Sequence, residues 1–86
     1  DPIDVPFVLE DQIFDGAIRC RIIGLGTVCG ASGDDVRDWV ADVHHVLLDY
    51  DGGTVDLLPF LRVTAPEAVH QLQRIGAWHA HANYRS

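Results

Sequence analysis

The first half of the chain contains apolar residues that alternate with charged ones. Ile18, Cys20 and Ile22 alternate with Arg19 and Arg21. A period of two is typical of a strand that is buried on one face and solvated on the other. The pattern therefore predicts a half-buried strand that runs into the glycine-containing stretch after it.

An earlier apolar segment, residues 6–14, predicts a first strand. Asp15 and Gly16 follow this segment, and an Asp-Gly pair between apolar segments is a signal for a tight turn. These features predict an N-terminal hairpin arm over residues 1–16.

Two later segments have apolar residues at helical spacing. In residues 36–47 the valines, a tryptophan and a leucine recur at intervals of three and four, which predicts an amphipathic helix over 33–45. In the second segment Val69, Leu72 and Ile75 share one face. A capping box at residues 64–67 is expected to begin this second helix, and Gly76 is expected to end it.

Between the two helices the pattern predicts a hairpin. Its arms are residues 45–50 and 54–63, joined by a glycine turn within "DYDGGT". Pro59 cannot donate a hydrogen bond to a neighbouring strand. The second arm is therefore expected at a sheet edge, or with a bulge.

The tail at residues 77–84 alternates again. Trp78 and Tyr84 fall on one face of a period-two pattern, while His79 and His81 fall on the other. This alternation predicts a last strand. Two histidines on one strand face have a spacing used at many metal sites, so His79 and His81 are the candidate metal ligands.

The predicted order of elements from residue 17 onward is β-α-β-β-α-β. This is the ferredoxin-like plan, an α+β two-layer sandwich in which an antiparallel sheet carries two helices on one face. With 86 residues, the chain is expected to form a single small α+β domain, residues 1–86. Its parts are the N-terminal arm, 1–16, and the core, 17–84.

The charge balance and the absence of lysine narrow the classes of function. Thirteen acidic residues against six arginines give a formal net charge of −7. Such a surface repels phosphate groups, so no nucleic-acid partner is expected. Without lysine there is neither Schiff-base chemistry nor a Walker-type phosphate loop. No apolar run reaches the roughly 18–20 residues of a membrane span, so no membrane partner is expected.

The stretch "RIIGLGTVCG" contains two glycines of a dinucleotide-binding fingerprint. Gly24 and Gly26 match its first two positions, but Cys29 stands where the third glycine belongs. To that extent the stretch resembles the start of nicotinamide-dependent dehydrogenases. We interpret the glycines instead as positions where the strand bends and a helix packs closely, and we expect no cofactor.

Two further resemblances concern the acidic turn. "LLDYDGGT" is similar to the nucleophile loop of haloacid-dehalogenase-like phosphatases, but it has an inserted glycine and the chain lacks that family's lysine. We interpret it as a hairpin turn. The layout of "GTVCG", a helix and this turn resembles acylphosphatase-like domains. That family's phosphate-binding Arg and water-orienting Asn correspond here to Asp34 and Asp49, and an anionic pair cannot bind an acyl phosphate.

The two cysteines are predicted to be free thiols. Cys20 and Cys29 are nine residues apart, about 30 Å on one extended strand. A disulfide needs Cα atoms within about 7 Å, which only a sharp turn at the glycines would allow. Free thiols are the norm in a reducing cytosol.

The candidate partner-binding residues are acidic or aromatic. Asp38, Asp42, His45 and Asp49 form one stripe of the predicted first helix, and Asp38 and Asp42 are taken from it as partner-binding residues. Trp78 and Tyr84 are the aromatic candidates on the predicted last strand.

The expected function is that of a small acidic cytoplasmic binding module. It would act through a protein partner with a basic surface or as a homo-oligomer, in an inhibitor, immunity, antitoxin-like or accessory role. Two alternatives stay open. One is a small enzyme or metal-dependent protein that uses His79 and His81, and the other is a small-ligand sensor that uses an open sheet face.

Overall fold

A computed structural model of the chain describes residues 3–10, 19–29 and 35–85. The described elements are four strands, a short 3-10 helix and two α-helices. In chain order they are β1 (Ile3–Glu10), β2 (Arg19–Val28), the 3-10 helix (Val36–Asp38), β3 (Asp42–Tyr50), β4 (Gly53–Asp56), α1 (Leu58–Thr64) and α2 (Pro66–Arg85).

The four strands form one antiparallel sheet in the order β1-β2-β3-β4, in which each strand pairs with the next along the chain. Both α-helices follow the last strand. The predicted α+β class is confirmed. The ferredoxin-like order is not confirmed, because the described part of the connection between β2 and β3 contains only the 3-10 helix Val36–Asp38.

The predicted helix over 33–45 is wrong, because residues 42–45 belong to β3 and the described residues before them form only the 3-10 helix Val36–Asp38. Ile23 pairs with His45 and Gly24 pairs with Val43, so the register shifts at this point and His44 is the extra residue of a β-bulge. The bulge turns both Val43 and Val46 toward the core, where they are 4% and 3% exposed. Buried residues three positions apart imitate the period of a helix.

The predicted last strand is also wrong, because α2 continues through it to Arg85. Gly76 does not end the helix. Gly76, Ala77 and Ala80 are all buried, and together with Val69 they recur at the helical intervals of seven, one and three. The small side chains of this face let α2 lie close to the sheet.

The ring of Phe7 joins the two layers. Phe7 lies on β1 opposite Gly24 of β2, and it is 2% exposed. A methyl group on Gly24 would lie 2.8 Å from the tip of this ring, and one on Gly76 would lie 2.8 Å from two of its edge carbons. The ring therefore occupies the space that side chains at both glycines would need.

A second close contact between the sheet and α2 lies beside the first. A Cβ atom on Gly26 would overlap the Cβ atom of Ala80. This contact confirms the interpretation that the glycines of β2 allow close packing of a helix. The core collects the inward residues of the strands and helices, namely Phe7, Ile22, Val28, Ala41, Val43, Val46, Leu58, Val69, Ala77 and Ala80.

The predicted hairpin turn is confirmed, but its second arm is shorter than predicted. Asp51 and Gly52 have φ values of 48° and 79°, as a two-residue turn between paired strands requires. The arm predicted to reach residue 63 ends at Asp56, and α1 follows. Pro59 lies in the first turn of α1, where a missing N–H costs no hydrogen bond.

The structure also locates the remaining predicted segments. The first strand, predicted over 6–14, is Ile3–Glu10. The predicted turn at Asp15–Gly16 lies outside the described residues, as does Asp34.

Replacement of Gly76 by alanine tests the contact between the layers. In an ordinary helix interior Gly→Ala stabilises by about 1 kcal/mol. Here the new methyl group would enter the space of the Phe7 ring, so we expect Gly76→Ala to lower the free energy of unfolding by about 1–3 kcal/mol. Urea denaturation measures the change.

Two variants serve as controls. Ala82→Gly, at an exposed position of the same helix, should cost about 1 kcal/mol through helix propensity alone. In a Phe7→Leu background the overlap is gone, so Gly76→Ala should become neutral or stabilising. A Gly76→Ala protein more stable than the wild type would contradict the packing described above.

Candidate functional site

The structure separates the two histidines that were predicted to share a strand face. Residues two apart on a helix point about 160° away from each other, so His79 and His81 lie on opposite flanks of α2. The ring of His79 meets Phe7 edge-on at 6.5 Å, and that of His81 meets Trp39 edge-on at 5.1 Å between centroids. The strand geometry on which the metal prediction rested is therefore wrong.

In the part of the chain that the structure describes, no three His, Cys, Asp or Glu side chains are grouped so that they could hold a metal ion. Cys20 and Cys29 are not joined by a disulfide bond, as predicted. No helix among the described residues is long and apolar enough to cross a membrane.

The predicted acidic helix stripe is wrong as a helical feature, since Asp42, His45 and Asp49 lie on β3. The bulge at His44 nevertheless keeps these three on one side of the strand, opposite the buried Val43 and Val46. That side is the sheet face that α2 does not cover, which we call the open sheet face. Asp38 is not on it, because Asp38 ends the 3-10 helix.

The open sheet face carries a charged network around Asp49. The Nη2 and Nε atoms of Arg21 lie 2.8 and 3.0 Å from Oδ2 of Asp49, and the Thr54 hydroxyl donates to Oδ1. The Thr54 hydrogen bond, with the nearby charge of Arg21, lowers the pKa of Asp49. Apolar pairs lie next to this network, since Val8 is opposite Ile23 on the same face.

A second carboxylate, that of Asp56, ties three elements together. Its Oδ1 accepts hydrogen bonds of 3.0 Å from the backbone N–H groups of Val46 and Leu58, and its Oδ2 lies 2.9 Å from Nδ1 of His45. The contact with His45 and the N–H group of Leu58 hold the pKa of Asp56 below its usual value. Asp56 therefore fixes the end of β4 and the start of α1 to β3.

The outward face of α2 is the most apolar exposed part of this helix. Ile75 points about 160° away from the buried Ala77, and Trp78 about 160° away from the buried Ala80. Ile75 and Trp78 are 49% and 48% exposed. With Gln71 and Arg74 they line a groove of about 300 Å³. We call this the Trp78 groove.

Two depressions adjoin the Trp78 groove and share residues with it. One includes Arg74, together with Asp38, His70, Arg37 and Val40, and Nη2 of Arg74 donates to the backbone oxygen of Arg37 over 2.7 Å. The other includes Gln71 and lies at the corner between α1 and α2, where it is lined by Thr64, Ala65, Pro66, Glu67 and Ala68.

The four predicted partner-binding residues do not share one surface. Trp78 and Asp38 border connected depressions on the helix layer, whereas Asp42 lies at the start of β3 on the open sheet face. Tyr84 is half exposed near the end of α2, and at 100° per residue it points about 120° away from Trp78.

The sequence interpretation overlooked Ile75 and Arg74 as surface residues. The predicted helix places Ile75 on the same face as Val69, but Val69 is buried and Ile75 is 49% exposed. A helical period continued through residue 85 would have placed Gly76, Ala77 and Ala80 on one side and Ile75 and Trp78 on the other. The chain matches no protein-family model, no curated protein and no solved structure.

Acidification tests the role of Asp56. Because its pKa is lowered in the folded protein, its contribution is present above the unfolded pKa of about 3.9 and is lost as pH falls through the lower folded value. We expect Asp56→Ala to cost about 1–2 kcal/mol at pH 7, since two backbone N–H groups lose their acceptor. Between about pH 5 and 2, where carboxylates titrate, the variant should also lose less stability than the wild type.

The matched control is Asp4→Ala, which removes an exposed carboxylate that bonds only to the Thr27 hydroxyl among the described residues. We expect a cost of about 0.5 kcal/mol or less at neutral pH for this control. Parallel pH profiles for the wild type and Asp56→Ala would contradict the role assigned to Asp56.

Proposed function

We propose that this domain is a protein-binding module whose recognition surface is the outward face of α2 around the Trp78 groove. One observation carries the proposal: α2 has two large apolar side chains, Ile75 and Trp78, on the side opposite the core. A surface helix normally has a polar outer face, yet Ile75 and Trp78 each expose about half of their surface there.

The composition of the Trp78 groove supports this function. Tryptophan and arginine are the side chains that most often dominate binding energy at protein interfaces. Here Trp78 and Arg74 lie one helical turn apart and border the same groove, with Ile75 beside them. Gln71 supplies a polar edge of the kind that surrounds such apolar centres.

The titratable side chains support a binding role over a catalytic one. Asp56 and Asp49 serve structure: Asp56 holds the junction between β4 and α1, and Asp49 is paired with Arg21. His79 and His81 lie on the two flanks of α2, where their rings contact those of Phe7 and Trp39. Packing within the domain leaves Ile75 and Trp78 of the groove about half exposed.

Site-specific photocrosslinking in cells that produce the protein tests this proposal. A photoreactive amino acid at residue 75 should give one discrete adduct, which mass spectrometry identifies, and the added substitution Trp78→Ser should abolish it. The same probe at residue 84 is the control, because Tyr84 is equally exposed but points away from the groove.

Circular dichroism of each variant establishes that the fold is retained. Equal adduct patterns from residues 75 and 84, or an adduct that survives Trp78→Ser, would contradict the assignment of this surface.

A further inference from the structure

We propose that the occupant of the Trp78 groove is a second copy of this chain, bound through α2 in antiparallel orientation. This inference rests on the proposed function and names its partner. It follows from the order of charged and apolar residues along one face of α2.

The first step is the charge pattern. Glu67 and Arg74 are both exposed, and on a helix they project within about 20° of each other, about 10 Å apart along the axis. If two α2 helices pack antiparallel about a twofold axis near His70 and Gln71, Glu67 of each copy meets Arg74 of the other. A parallel arrangement in register would instead bring like charges together, which disfavours it.

The second step is the fit of Trp78. In the antiparallel register, Trp78 lies four residues beyond Arg74, about 6 Å along the axis. It therefore reaches the corner between α1 and α2 of the other copy. That corner has a depression lined by Thr64, Ala65 and Pro66. Because the axis is twofold, each tryptophan meets the depression of the other copy, so the surface is self-complementary.

The edges of the sheet offer a poorer route to self-association. β1 and β4 are the edge strands. β1 contains Pro6, which has no N–H group, and β4 has only four residues. Proline and short length are both devices that prevent pairing at a sheet edge. The contact between the two copies is therefore formed by the helix layer.

Sedimentation equilibrium of the purified full chain, from micromolar to millimolar concentration, tests the proposal. We expect a concentration-dependent dimer, which Trp78→Ser weakens about tenfold or more. Tyr84→Ser is the matched control, because it removes an aromatic ring outside the contact, and it should leave the dimer constant unchanged.

A charge exchange tests the antiparallel register. Glu67→Arg and Arg74→Glu should each weaken the homodimer, because each places like charges opposite one another. A mixture of the two variants should form a heterodimer, since each Arg then faces a Glu. Circular dichroism checks that both variants fold, because Arg74 also bonds to the Arg37 carbonyl oxygen.

The outcomes separate this inference from the proposed function. A chain that stays monomeric at millimolar concentration, or a dimer unaffected by Trp78→Ser and by the mixture, overturns the second copy as occupant. If the adduct at residue 75 then proves to be a different protein, the binding function stands with another partner. If no adduct forms at residue 75 either, both proposals fail.

Discussion

The structure depends on the contact between the Phe7 ring and two glycines from different layers. The ring lies over Gly24 of the neighbouring strand, and its edge occupies the space where Gly76 has no side chain. This contact sets how closely α2 approaches the sheet, and Ala80 then meets Gly26 at the same short range. Close packing of this kind leaves no room for a larger side chain at any of these positions.

The orientation of α2 follows from this contact and determines what the surface offers. Once Gly76, Ala77 and Ala80 face the sheet, Ile75 and Trp78 must face solvent, because neighbouring helical positions point in different directions. The histidines fall on the two flanks, where their rings meet aromatic neighbours. The same small residues that close the core thus produce the exposed apolar face on which both functional proposals rest.

Local chemistry made part of this fold predictable from the sequence. The alternation around Cys20 identified β2, and the Asp-Gly turn after Tyr50 has the backbone that its residues favour. Two elements could not be predicted from such patterns. The bulge at His44 places Val43 and Val46 at helical spacing within a strand. In α2 the buried residues Gly76, Ala77 and Ala80 are so small that the sequence of this helix resembles that of an alternating strand. In both cases tertiary packing, not local preference, decides the conformation. The Trp78 groove follows from the sequence only when the helical period is continued through residue 85, which the alternation of residues 77–84 argued against.

Solution NMR of the contact between Phe7 and Gly76 tests the account most directly. If α2 is continuous and seated on the sheet as described, the ring protons of Phe7 should show strong nuclear Overhauser effects to the Hα atoms of Gly76, and the ring current should displace those Hα resonances. Sequential amide contacts typical of a helix should continue from Gly76 through Asn83. The absence of Phe7–Gly76 effects, with cross-strand contacts at residues 78–83 instead, would contradict the account.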